Sequence, residues 1–161
     1  MALGDLTLPS TESILRVVPQ LVAVVAALLA LVTYRRNAKT KRAEWLSTLH
    51  AKFFEAANYK RIRSILDYDQ PELATLRECV SRGDYDDLSE LLVDYLNFFE
   101  FIASLWKLGQ LDIEEVAILF EYYLNNLTAH EFIVDFIATY GFDNLKDLLA
   151  SLARRRKVVR S

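Results

Sequence analysis

Twelve consecutive residues, Leu21 to Val32, read LVAVVAALLALV and carry no polar side chain. A helix built from them has no side that water solvates well, so it needs cover from protein or from lipid. At about 1.5 Å per residue, Leu21 to Tyr34 reaches only roughly 21 Å, short of the roughly 30 Å hydrocarbon core of a bilayer. A span must therefore begin earlier. Starting at Ile14 gives about 31 Å, with Pro19 inside the helix and with Arg16 and Gln20 near its outer end, where Arg16 can snorkel. The eight Leu and Val of the apolar run supply roughly −3 to −4 kcal/mol toward insertion, enough to outweigh polar groups at the end of the span. We expect a transmembrane helix over 14–34.

Three other readings compete. A cleaved signal peptide wants positive charge before its apolar run and an A-x-A-like site after it, whereas here the positive residues follow and no A-x-A occurs. A buried central helix of a soluble bundle is also apolar all round, but a domain this small has few elements to surround one. An apolar helix that drives soluble oligomerisation is the third. Orientation follows from Arg35, Arg36, Lys39, Lys41 and Arg42, directly after the run, against Arg16 alone before it. Positive residues stay inside, so the chain is expected in the cell membrane as a single-pass protein, with residues 1–13 as a short extracytoplasmic tail and a cytosolic domain over 35–152. Residues 153–161 form a basic C-terminal tail.

The domain reads as all-α. Only four glycines and three prolines punctuate 161 residues, while good helix formers abound. Trp45, Leu46, Leu49, Phe53, Phe54 and Ala57 recur at helical spacing on a segment that can continue the membrane helix. Ile62, Ile65 and Leu66 carry the pattern on with a shift of face, which predicts a bend near Asn58. Pro71 to Ser81 makes a short helix closed by Gly83, and Asp86 or Asp87 to Leu108 makes the longest soluble helix, the centre of the bundle. Asp112 with Glu115, flanked by Leu111 and Val116, is a capping box with a hydrophobic staple. The same pattern at Thr128 and Glu131 predicts another helix start, and Asp143 is placed to cap a last helix through Leu152. The architecture is thus one transmembrane helix and an irregular bundle of about six helices.

Charge is segregated. Arg35 to Arg63 holds nine basic and two acidic residues, Ser64 to Ala150 four basic and eighteen acidic, and Leu152 to Ser161 five basic. The basic segment Arg35 to Arg42 lies within a Debye length of the inner leaflet and is expected to contact anionic lipid headgroups, each residue worth about 1 kcal/mol. Arg154, Arg155, Arg156 and Lys157 complement the dipole of the last helix and are placed to fold back onto membrane or onto the acidic middle of the domain. Nucleic acid is not expected as a partner, because one short basic tail is a poor basis for it.

Nothing points to an active site. Neither His50 nor His130 follows a Glu at the spacing a di-metal bundle site needs. The phosphate-binding, dinucleotide, zinc-protease, hydrolase and EF-hand motifs are all missing. The acids Asp84, Asp86, Asp87, Glu90 and Asp94 form a dense run without the geometry of a calcium loop. The single cysteine, Cys79, suits a reducing compartment. The aromatic residues Tyr95, Phe98, Phe99, Phe101, Trp106, Phe120, Tyr122 and Tyr123 read as core, and a hydrophobic ligand pocket among them is the sharper alternative. No catalytic residue, cofactor or metal is expected.

The apolar helix followed by RRNAKTKRAEWLSTLHAKFF, then YKRIRSIL, VDYLNFFEFIASLWKLGQLDIEEV and a late YGFDNL resembles an uncharacterised family of bacterial and archaeal proteins. That family pairs one N-terminal span with a small helical domain. The resemblance covers roughly Arg35 to Leu149 and implies the architecture and no activity. The expected function is a membrane-anchored interaction or sensor module, holding a bundle at the inner leaflet to engage a protein partner or another copy of itself. The alternative is a small oligomerising membrane effector of the defence or toxin type. An enzyme acting on lipid or on a membrane-delivered substrate has no residue set to recommend it.

Overall fold

The computed structural model describes residues 11–84 and 86–159, the side chains of 11–21, 39, 158 and 159 excepted. Among the described residues there are seven helices and no strand. The chain divides into two compact units between Leu49 and His50. Helix α1, Thr11–Glu55, contains the whole apolar run and continues without a break into the amphipathic segment behind it.

In the second unit, the last turn of α1 ends where Ala56 turns extended, at φ −64° and ψ 125°. The break falls two residues before the expected bend at Asn58. Helix α2, Ala57–Asp67, turns Ile62, Ile65 and Leu66 inward. The carbonyls that α1 leaves unpaired at its end are met by a side chain: the Arg63 guanidinium donates to the Phe53 and Phe54 carbonyl oxygens. Helix α3, Gln70–Arg82, starts at Asp69, whose carboxylate accepts from the Glu72 N–H at 3.1 Å, and stops at Gly83 in the left-handed region, φ +71°. Pro71 sits in its first turn, where a missing N–H costs nothing.

Helix α4, Asp87–Lys107, is the centre as expected, packing on α2, α3, α5 (Ile113–Thr128) and α7 (Asp143–Val159). Its start is a reciprocal box: Asp86 accepts from the Ser89 N–H and the Ser89 hydroxyl accepts from the Asp86 N–H, both at 2.9 Å. The Asp112–Glu115 box at the head of α5 forms as predicted, with bonds of 2.8 and 2.9 Å, and Leu111 and Val116 are both buried beside it.

Two predicted starts are corrected. Thr128 is the last residue of α5, not the first of a new helix, and its hydroxyl donates back to the Asn125 carbonyl at 2.8 Å. The next helix, α6, Glu131–Thr139, begins behind His130, with no side-chain cap. Buried Leu124 and Leu127 carry α5 through the site of the apparent box. Asp143 likewise does not cap α7; it is the first helical residue. The carboxylate of Glu100 on α4 does so instead, accepting from the Asn144 N–H at 3.2 Å and the Leu145 N–H at 2.8 Å. Helix α7 also runs past Leu152 to Val159, so Arg154 to Lys157 are helical.

Phe53 sits fully buried at the centre of the aromatic core, with its ring centroid 5.0 to 6.0 Å from those of Tyr59, Tyr95, Phe98, Phe99, Phe120 and Tyr123. Two rings expected inside are outside: Phe101 is 51% exposed and Tyr122 is 60% exposed. Phe53→Ala is expected to cost about 3–5 kcal/mol in urea unfolding, and Phe101→Ala less than about 1 kcal/mol. Equal losses at the two positions would contradict this assignment of the core.

Candidate interaction surfaces

The first surface is the apolar stretch of α1. From Val22 to Ala38 every described side chain is exposed, and the Val and Leu residues between Val22 and Val32 are each 47 to 63% exposed. At 100° per residue, Ala23, Ala26, Ala27 and Ala30 fall on one side of the helix and Val and Leu fill the rest. The first hydroxyl beyond the stretch, that of Thr33, donates to the Leu29 carbonyl at 2.8 Å and so needs no outside partner. Tyr34 follows it, exposed, and then Arg35 and Arg36, with Lys41 and Arg42 a turn or two further on, all exposed. Lys39 and all of the 1–13 tail lie outside the side chains described. Among the described residues no helix is long and apolar enough to cross a membrane. The Ile14–Leu21 part of the expected span is not among the described side chains.

The second predicted surface, the basic end of α7, is largely spent inside the fold. Arg155 Nε donates to Glu114 Oε1 at 2.6 Å, its Nη2 pairs with Glu114 Oε2, and its Nη1 stands 3.6 Å from Glu121. Arg156 Nε stands 3.7 Å from the same Glu121. Arg154 donates to the Ser151 hydroxyl at 2.9 Å, and Lys157 faces solvent. Of the two destinations open to these residues, the acidic middle of the domain receives Arg155 and Arg156. The fork of bonds from Arg155 holds the Glu114 carboxyl below its ordinary value of 4.5.

The acidic run does not converge. Asp84 pairs with Arg82 at 3.3 Å, Asp94 accepts from Asn58 at 3.3 Å, and Asp86 serves as a helix cap and accepts from the Cys79 thiol at 3.0 Å. That bond raises the thiol's pKa and, with the Ser89 N–H, lowers that of Asp86. Asp87 and Glu90 line two open grooves of about 340 and 270 Å³. Among the described residues no group of three or more His, Cys, Asp or Glu could hold a metal. His50 stacks on Phe54 with centroids 4.2 Å apart, and His130 buries its Nε2 without a hydrogen-bond partner.

Three features escaped the sequence reading. Arg63 closes the end of α1 and lies over the rings of Phe53, Phe54 and Tyr123, at 4.6, 5.0 and 5.7 Å. Glu100 joins Asn144, Ser104 and Leu145 in one polar node, with Lys107 reaching Asn144 and Asp147 at 3.1 Å each. Asp67 accepts from the Tyr122 hydroxyl at 3.1 Å and from Asn126 at 2.6 Å, which raises the Tyr122 phenol above its ordinary 10.0. Each joins residues that are distant in sequence or separated by a helix break, so no local pattern announces it.

Residues 18–138 match the family described as DUF4760, a domain of unknown function. The chain belongs to the DUF4760 family. The match opens just before the apolar run of α1 and closes in α6, so the family's shared sequence includes both the apolar stretch and most of the bundle. An uncharacterised family was the expectation from the sequence. No curated protein and no solved structure matches the chain.

Glu114 sets a pH dependence. Its carboxyl is depressed in the folded state, so its contribution to stability is fully present above the ordinary 4.5 and is lost as pH falls through the folded value. Stability of the native chain should therefore fall below pH about 4.5 more steeply than that of Glu114→Gln. Superimposable stability–pH curves for the two proteins would remove the Arg155–Glu114 pair from the account.

Proposed function

We propose that this DUF4760 chain is a membrane-anchored helical module, single-pass in a prokaryotic cell membrane with its N-terminus outside, that presents a cytosolic bundle to a protein partner or to another copy. The observation that carries the reading is the exposed apolar stretch of α1, in which the Leu and Val side chains from Val22 to Val32 stand 47 to 63% exposed. Fully burying one such side chain is worth about 1.5–3 kcal/mol, and these are about half exposed, so the seven from Val22 to Val32 together represent a gross drive of roughly 5–12 kcal/mol toward an apolar phase, before the cost of polar groups is met. A bilayer supplies that phase, and Arg35, Arg36, Lys39, Lys41 and Arg42 follow at the point where anionic headgroups of the inner leaflet would stand.

The experiment is fractionation of the full chain with an alkaline wash of the membranes. Retention in the pellet is the expected result. Release as a soluble species would overturn the anchored reading.

A second reading, the oligomerising effector, is favoured by the alanine side of α1, where Ala23, Ala26, Ala27 and Ala30 would let two backbones approach closely. It expects growth arrest and membrane depolarisation on overexpression, both lost in Ala27→Leu. Normal growth at high expression would leave the tethered module alone.

A further inference from the structure

The outer end of α2 and the face of α5 beside it make a small anionic, aromatic patch that the fold does not neutralise. Helix α2 ends at Asp67 with no basic residue in its last turn. A helix C-terminus carries about half a negative charge and is ordinarily complemented by Lys or Arg; here a carboxylate adds to it. Arg63 lies one turn earlier, but its guanidinium is committed to the Phe53 and Phe54 carbonyls. Ion pairs occupy Glu72, Glu78, Asp84, Glu114, Glu121 and Asp147, whereas among the described residues Asp67 has no cation within ion-pair distance. The next acid, Asp69, is used as the cap of α3.

Around Asp67 the aromatic content is high and open. Tyr68 leaves α2 at φ −137° and is 80% exposed. Tyr122, 60% exposed, fixes one oxygen of Asp67 from α5, and Asn126 fixes the same oxygen, leaving Oδ2 without a hydrogen-bond donor among the described residues. Because buried Ile65 and Leu66 anchor α2 while buried Leu124 and Leu127 anchor α5, the arrangement is preformed. A carboxylate held by a tyrosine hydroxyl and followed in the chain by a second exposed tyrosine suits a guanidinium, which donates in its plane and is attracted to aromatic faces, and arginine, tyrosine and tryptophan are the residues most enriched at interface centres.

We infer that the Asp67, Tyr68, Tyr122 and Asn126 patch is a docking site for an arginine side chain presented by a partner protein. This names partner chemistry for the module proposed above, and it stands apart from the question of the membrane. The exposed aromatic pair contributes contact area, and the unneutralised carboxylate supplies the charge selectivity.

The test uses the full chain in detergent with ring-labelled tyrosine, the Tyr68 and Tyr122 signals being assigned with Tyr→Phe variants. The probe is a short, uncharged-ended Gly-Arg-Gly-Arg-Gly peptide, with its citrulline counterpart as the neutral control. Saturable shifts of the Tyr68 and Tyr122 signals are expected with the arginine peptide. Affinity should fall roughly three- to tenfold in Tyr68→Ala and further in Asp67→Asn, with the citrulline peptide no better than the variants. Tyr68→Ala should leave the melting temperature unchanged, since its ring is exposed. Unmoved signals, equal response to citrulline, or full response in Asp67→Asn would overturn the site. So would shifts that depend on protein concentration alone, which would assign the patch to a second copy.

Discussion

The bundle depends on how the chain turns after α1, and that turn is held by Arg63. A helix that ends abruptly leaves carbonyl groups without donors, and the end of α1 sits beside the core, where water is a poor substitute. Arg63 reaches back from α2, donates to two of those carbonyls, and lays its cationic plane over Phe53, Phe54 and Tyr123. A lysine could supply the charge but neither the fork of donors nor the flat face. With α2 returned in this way, Ile62, Ile65 and Leu66 meet the aromatic residues of α4, and the rings of three helices close around Phe53.

The acidic middle of the chain is best understood by where its carboxylates are used. Asp69, Asp86 and Asp112 sit at helix N-termini, where backbone N–H groups and the dipole favour negative charge. Glu100 does the same for α7 from another helix, and Glu114 with Glu121 receives the arginines at the far end of α7. Helix α7 is therefore held at its start by acid from α4 and near its end by acid from α5. What is left after these uses is the open acids Asp87 and Glu90 along α4, Glu131 and Asp135 on α6 and Asp143 at the head of α7, and Asp67 at the wrong end of a helix for its charge.

Local signals were legible in the sequence and long-range ones were not. The Asp112–Glu115 box, the Gly83 stop and the limits of α4 follow from residues within one turn of each other, and the structure has them. Thr128 and Glu131 satisfy the same local rule and still fail, because the rule cannot register that Leu124 and Leu127 are pinned in the core and keep α5 helical past the apparent start. Asp143 fails for the opposite reason: its position was suitable, but a carboxylate more than forty residues earlier reached the same N–H groups. The basic end of α7 was visible as charge, while its partners Glu114 and Glu121 were fixed only by the packing of α5 on α7. The candidate docking patch falls in this unreadable class as well, since Asp67 and Tyr122 lie 55 residues apart.

The core from Phe53 to Leu152 is filled by residues of α2 to α7 and the last turn of α1, and each large ring in it is surrounded by others. Nothing in that core calls for twelve Leu, Val and Ala residues upstream. From Val22 to Val32 the side chains of that run are exposed, and in water they would favour aggregation. In the anchored reading proposed above, a bilayer would cover such a run, and Tyr34, Arg35 and Arg36, which follow it closely, would stand at the polar boundary. The shared family sequence begins at residue 18 and runs to residue 138, so it includes both the run and most of the bundle.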